Sequence, residues 1–204
     1  MLNKKLTITY EVGENLYLNI TNQCPCNCTF CIRNNGDGAY GSDSLWLEHE
    51  PTLDEIRTAL DNLDLTKYKE IVFCGYGEPT CRLNALLNIS GYIKSKPNAP
   101  TVRLNTNGLS NLINKKTTSK LICSVCDVIS ISLNAPDKDE YMAVTRPKFD
   151  NAFEALIDFT KQCVAENANV RMTVVDVIGD EALKKAEFLC DSIGVPLWVR
   201  KLEI

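Results

Sequence analysis

Histidine is nearly missing from this chain: of its 204 residues only His49 is one. Enzymes that need an imidazole base, or zinc sites with several histidine ligands, would have to be built on that single residue. His49 stands in Glu48-His49-Glu50, within a loop-like stretch, and is expected on the solvated surface. Long apolar runs are missing too, none approaching the ~20 residues that span a bilayer. The start, Met1–Tyr10, is basic but has no apolar stretch or cleavage site of a signal peptide, so a cytoplasmic protein with no membrane partner is expected. Positive charge is not in excess: the net charge is −4 and the sequence pI about 5.1, which argues against a nucleic-acid partner. The chain is 45% hydrophobic and 24% charged, the balance of a globular protein, and its length suits one domain over 1–204.

What the sequence has in quantity is cysteine, 10 residues of it. Without an export signal, and at this length, reduced thiols and metal ligands are a better reading than a disulfide framework. Three of them, Cys24, Cys28 and Cys31, follow a strand-like run Leu16–Thr21 with the spacing C-x3-C-x2-C. Three thiolates on one loop suit three corners of a cubic iron–sulfur cluster, with one iron left for a small molecule. Cys26 lies inside the motif and competes as a ligand, but choosing it leaves cysteines only two apart on each side; we assign it as a bystander. Cys123 and Cys126 also have metal-ligand spacing, yet two cysteines supply half a tetrahedral site and lie at the other end of the sheet. They read as buried small apolar residues, as do Cys74, Cys81, Cys163 and Cys190.

Strand-length apolar runs alternate with helix-like segments. Strands are expected at Leu16–Thr21, Glu70–Cys74, Thr101–Asn105, Asp127–Leu133, Val170–Ile178 and Leu197–Leu202. Helices are expected at Leu53–Leu63, with Thr52 and Glu55 as a capping box, and at Asn84–Ser95, Asn111–Ile122, Asn151–Asn167 and Glu181–Ile193. The alternation implies βαβ units and a parallel sheet, and six units fall short of a closed eight-stranded barrel. Ligand sites in such folds form at the C-terminal strand ends. There the sequence places Gly75-Tyr76-Gly77-Glu78-Pro79, Asn105–Gly108, Ser130, Ser132 and Asn134 on one alternating face, and Val177-Ile178-Gly179. The polar, glycine-containing stretch Arg33–Pro51 is either a lid or a surface connection, and Arg146, Arg171 and Arg200 are candidate inward cations.

Taken together, these motifs resemble the radical S-adenosylmethionine (radical SAM) superfamily. The cysteine triplet with Phe30 before its last member is similar to that family's signature. The resemblance implies a single-domain partial (β/α)6 TIM-like barrel, α/β with parallel strands, as the radical SAM core. It implies a [4Fe–4S] cluster on Cys24, Cys28 and Cys31. It implies S-adenosylmethionine held by Phe30, Gly75, Gly77, Glu78, Pro79, Asn107, Ser132, Asn134, Ile178 and Gly179, with the methionine amine near Gly75–Pro79, ribose near Ser132 and Asn134, and adenine near Ile178 and Gly179. The family reaction is reductive cleavage to a 5′-deoxyadenosyl radical, which abstracts hydrogen from a substrate; the reductant would be a flavodoxin or ferredoxin. It needs no protein acid or base at its first steps, in keeping with a single histidine. The run Cys24-Pro-Cys26-Asn-Cys28-Thr-Phe30-Cys31-Ile-Arg33 further resembles a small subfamily associated with TatD-type nucleases, which suggests a functional link to such an enzyme. The alternatives are a glycyl-radical-type activating enzyme and a noncatalytic cysteine-based module holding zinc or a cluster.

Overall fold

In the computed structural model, which describes residues 6–202, one seven-stranded sheet runs through the chain in sequence order. Strand β1 (Thr9–Val12) pairs antiparallel with β2 (Asn15–Leu18). From β2 onward, β3 (Glu70–Phe73), β4 (Thr101–Thr106), β5 (Val128–Ser132), β6 (Asn169–Val175) and β7 (Leu197–Arg200) are all parallel. The six parallel strands are those expected. The antiparallel β1 is an addition: Gly13, at φ +58°, opens the two-residue turn that folds it back onto β2. The basic start, Met1–Lys5, lies outside the described residues.

Seven helices join or follow the strands: α1 (Leu53–Asp61), α2 (Leu83–Lys94), α3 (Ser110–Asn114), α4 (Ser119–Cys123), α5 (Lys138–Thr145), α6 (Ala152–Ala165) and α7 (Asp180–Ile193). Helix α1 starts in the capping box read from the sequence, Thr52 Oγ1 accepting from Glu55 N and the Glu55 carboxylate from Thr52 N. The helix expected over Asn111–Ile122 is instead two, because Lys115 turns left-handed at φ 52° and Thr117 and Thr118 are poor helix formers. Asn111 fills the break, its Oδ1 accepting from Thr118 N at 2.8 Å. Helix α5 was not expected, although Asp137 caps it by accepting from Glu140 N at 3.0 Å.

Register sorts the sheet into two faces. Ile71, Val102, Leu104, Ile129, Ile131, Met172 and Val174 are fully or nearly fully buried in one core with Leu86, Ile89, Leu156 and Phe159 of α2 and α6. The other face carries neighbouring polar rows instead: Asn105 beside Ser130 beside Arg171, then Ser132 beside Thr173 beside Trp198, then Val175 beside Arg200. Parallel βα units thus leave a curved sheet with an apolar, helix-covered outside and a polar inside, a partial TIM-type barrel. No helix among the described residues is long and apolar enough to cross a membrane.

The apolar outer face carries the stability. Phe159→Ala, at a fully buried site in α6, is expected to lose about 3–5 kcal/mol in urea unfolding. Phe188→Ser, on α7 with 78% of the residue exposed, should stay within about 0.5 kcal/mol of the parent.

Candidate active site

The loop after β2 carries the cysteines and is fastened on both sides. Its far side is latched to the end of α5: Cys26 forms an isolated antiparallel bridge with Pro147. Asn27 N donates to Thr145 O at 3.0 Å, Thr29 N to Val144 O at 2.9 Å, and Lys148 N to Pro25 O at 2.9 Å. Arg146, left-handed at φ 45°, closes α5 so that the chain can make this latch. It does not line the cavity described below, which corrects the expectation of an inward cation there.

The near side is held by the glycine segment after β3. A Cβ on Gly75 would stand 2.2 Å from Asn19 Oδ1, and one on Gly77 2.3 Å from Thr21 O and 2.7 Å from Gln23 O. These glycines therefore let two protein segments touch, and Glu78 N donates to Gln23 O at 2.7 Å through the gap they leave. Glu78 itself is 4% exposed. Its Oε1 accepts from Thr80 N (3.0 Å), Thr80 Oγ1 (2.7 Å) and Thr106 Oγ1 (2.7 Å), and its Oε2 from Asn107 N at 2.7 Å. Burial pushes its carboxyl above the ordinary range, against these four bonds, each of which favours the anion.

Within the cysteine loop the three sulfurs nearest each other divide their roles. The Cys26 thiol is pushed up because it hydrogen-bonds to Cys24 and Cys28, and both of those are drawn down by the same bonds. Cys26 is 5% exposed and belongs to the main core. Cys31 accepts from Arg33 Nε at 3.3 Å, and Asn107 Nδ2 lies 3.7 Å from Cys26 Sγ. Among the described residues no set of three His, Cys, Asp or Glu side chains is gathered to hold a single metal ion. Cys123, half-buried, hydrogen-bonds to Cys163, away from this loop; Cys126 is buried.

One cavity of about 500 Å³ brings the sequence motifs together. Cys24, Cys28, Phe30 and Cys31 line it with Gly75, Gly77, Glu78, Asn107, Ser132 and Asn134, and so does Cys26. Pro79, Ile178 and Gly179 do not. Strand β6 ends at Val175, not at Ile178 as expected: Ile178 N turns back to donate to Val175 O at 3.2 Å, and Gly179, at φ 81°, starts α7. Thr173 and Val175 take the wall positions instead, and Asn105, Ser130 and Arg200 complete the inner face. Asn134, left-handed at φ 63°, has a buried Oδ1 with no partner, an acceptor facing a cavity. Arg33–Pro51 is packed as a wall. Ala39 and Leu45 join Tyr10 and Tyr76 in a second small core, Tyr76 Oη donates to Gly36 O at 2.8 Å, and Asn19 Nδ2 donates to Leu45 O at 2.7 Å. Tyr76 sits inside the glycine segment read from the sequence, but the aromatic wall it forms with Tyr10 was not expected.

A family model described as the radical SAM superfamily matches residues 18–190. The chain belongs to the radical SAM superfamily. Among solved structures, SuiB of Streptococcus suis bound to its precursor peptide SuiA superposes with a TM-score of 0.67 at 17% identity, over 96% of this chain and 40% of SuiB. The FeFe-hydrogenase maturase HydG from Carboxydothermus hydrogenoformans gives 0.64 at 16% identity, over 93% of this chain and 44% of HydG. Methylornithine synthase (PylB) gives 0.64 at 11%, over 92% and 53%. This chain thus spans about half the length, or less, of these radical SAM proteins, and at such identities they speak for the fold alone. A search of curated proteins finds no match. Membership of the superfamily implies S-adenosylmethionine and an iron–sulfur cluster as cofactors.

The contact between the glycine segment and the cysteine loop gives a paired test. Gly77→Ala is expected to lose about 1–3 kcal/mol in urea unfolding, because the obstructing atoms are backbone. Gly91→Ala, inside α2 with nothing within 4 Å of the new Cβ, should gain about 0.5–1 kcal/mol.

Proposed function

We propose that Cys24, Cys28 and Cys31 hold a [4Fe–4S] cluster and that the cavity beside them holds S-adenosylmethionine, whose radical acts on a substrate bound on the barrel's inner face. The observation that carries this reading is that the cysteine loop and the ends of β3, β4, β5 and β6 line one cavity. Its donor set suits the group. Thiolates are the ligands of iron–sulfur clusters, and three splayed over one loop suit a several-iron cluster better than one ion. The hydrogen bonds among them draw the Cys24 and Cys28 thiols down and push Cys26 up, and on this reading Cys26 is the bystander.

The chemistry supplied at such a site is one-electron cleavage of the sulfonium, yielding a carbon radical that takes hydrogen from the substrate. The chain's own residues position and shield. Asn134 Oδ1, buried and without a partner, is placed to accept from a ribose hydroxyl, beside Ser132. Glu78 already accepts four bonds, so its part is to fix the β3 and β4 ends, and its negative charge stands on the cavity wall where the cofactor's ammonium would lie. Phe30, Tyr10 and Tyr76 line the cavity with ring surface and limit water around a reactive radical. We assign the adenine-side wall to Thr173 and Val175 in place of Ile178 and Gly179. The 204 residues act on this reading as one core domain, served by a flavodoxin or ferredoxin. The Cys24–Arg33 run supports a functional link to a TatD-type nuclease.

Anaerobic reconstitution tests the cofactors. The full chain should take up about four irons, its EPR spectrum should change on adding S-adenosylmethionine, and a reductant should release 5′-deoxyadenosine. Colourless protein with stoichiometric zinc would overturn the reading. Cys26→Ala should keep its iron and Cys28→Ala should lose it; the reverse would reassign the ligands.

Asn134 gives a separate test of the cofactor contact. Asn134→Gly removes the amide while suiting the left-handed backbone, and should weaken S-adenosylmethionine binding about fivefold to tenfold, the worth of one net hydrogen bond. Equilibrium dialysis against the labelled cofactor measures it.

A further inference from the structure

The inner face of the barrel is cationic, and one part of it has no counter-charge. Arg103 on β4 is accounted for: it is 8% exposed, pairs with Glu70 at 2.9 Å, and donates to Asn105 Oδ1 at 3.0 Å. Arg171 on β6 is not. Its guanidinium stacks 3.9 Å over the Trp198 ring and reaches Ser130 Oγ at 3.4 Å, but it forms no ion pair among the described residues, the charge of Glu70 reaching it only past Arg103. Arg200 on β7 lines the cavity with Lys201 and likewise has no ion pair among the described residues. The cavity wall's one acidic side chain is Glu78, and its oxygens are already engaged.

Register places these cations relative to the proposed cofactor. Ser130 and Arg171 are neighbours across β5 and β6, two residues before Ser132 and Thr173, and so about 6.6 Å nearer the barrel floor at strand spacing. Trp198 pairs with Thr173 and Arg200 with Val175, so both β7 residues share the same inward face as Arg171. Arg200 also acts on Cys74, at the end of β3, which puts its charge across the curved sheet rather than out at the β7 edge. Arg171 lies four residues before Val175, the partner of Arg200, and so about 13 Å lower along the strand. A guanidinium with its fork unused on the cavity wall, with Lys201 next to it in sequence, suits a planar or tetrahedral oxyanion.

Resting on the cofactor reading above, we propose that the inner face of β6 and β7 binds an anionic group of a small-molecule substrate, a carboxylate or a phosphate ester. Arg200 is its direct ligand, with Lys201 adding charge on the same cavity wall and Arg171 adding positive potential farther down the sheet. Arg171 is half-buried and Arg200 stands exposed on the cavity wall, and neither has an ion pair among the described residues, so an anionic group held there fixes the rest of the substrate against the β7 side of the cavity.

Trp198 supplies the readout, because Arg171 lies on its ring. In the full chain carrying Trp46→Phe, Trp198 is the one tryptophan left. Its emission is titrated with inorganic phosphate and with glutarate, against sodium chloride at equal ionic strength. One of the two anions is expected to give a saturable, single-site change that chloride does not, and which one does so separates phosphate from carboxylate. Arg200→Gln should weaken that binding at least tenfold, Arg200→Lys less, and circular dichroism confirms that both fold. In the reconstituted chain Arg200→Gln should bind S-adenosylmethionine within twofold of the parent. A change no different from chloride overturns the proposal. So does an Arg200→Gln variant that loses cofactor affinity but not anion affinity, since Arg200 would then serve the cofactor's own carboxylate. Failure of the parent chain to bind S-adenosylmethionine would instead overturn the cofactor reading, and the anion titration is independent of it.

Discussion

Four hydrogen bonds converge on the Glu78 carboxylate, and the geometry of the site follows from them. Two come from Thr80, in the same turn, and two from the end of β4, the Thr106 hydroxyl and the Asn107 backbone. A carboxylate buried this deeply loses its hydration, which is why burial pushes its proton affinity up. Donors on all sides work the other way, and a neutral side chain could not accept four of them. The same residue's backbone N–H reaches Gln23 O, one position before the first cysteine. One residue thus fixes the β3 loop, the β4 loop and the start of the cysteine loop relative to each other.

Close packing does the rest. Gly75 and Gly77 are small because Asn19, Thr21 and Gln23 occupy the space their side chains would need. The expectation from sequence was that these glycines admit a ligand to the backbone. What they admit is the β2 strand end and the cysteine loop, and the ligand cavity is what remains beside that contact. On its other flank the cysteine loop borrows backbone partners from residues 144–148, so a loop with little regular structure of its own satisfies its N–H groups on a neighbour. Cys26 has a place in both: its side chain belongs to the core that anchors the loop and also reaches the cavity wall with Cys24 and Cys28.

How much of this the sequence disclosed depended on how local the cause was. The strand–helix alternation, the Thr52–Glu55 capping box and the inward face of Ser130, Ser132 and Asn134 rest on spacing alone, and spacing is legible. The β1 hairpin was missed because four residues alternate too briefly to stand out, although Gly13 between two short runs was a signal. Asp137 with Glu140 three positions later was an overlooked helix start for α5. The end of β6 was read too far because Val177 and Ile178 continue its β-branched run; the turn there is made by Gly179 and by Val175 accepting from Ile178, which a propensity argument does not weigh. Glu78's cross-tie, the Arg146 latch and the aromatic wall of Tyr10 and Tyr76 join residues 28 to 123 apart in sequence, and no local pattern encodes them.

The sheet's two faces solve different problems with the same strands. Outside, helices cover unbroken aliphatic rows, and that burial holds the barrel together. Inside, the strands give up apolar burial for Asn105, Ser130, Ser132, Thr173, Arg171 and Arg200, in register with each other rather than scattered. An inner face carrying such groups forfeits the hydrophobic stabilisation that a filled barrel would gain, roughly 25 cal/mol for each Å² of apolar surface not buried. Glu70 and Asn105 offset this for Arg103, so that row is structural. Nothing comparable offsets it for Arg171 and Arg200. Arg171 is half-buried and Arg200 exposed, and on the proposed reading a ligand's anionic group supplies the missing partner, on the strands farthest in sequence from the cysteines.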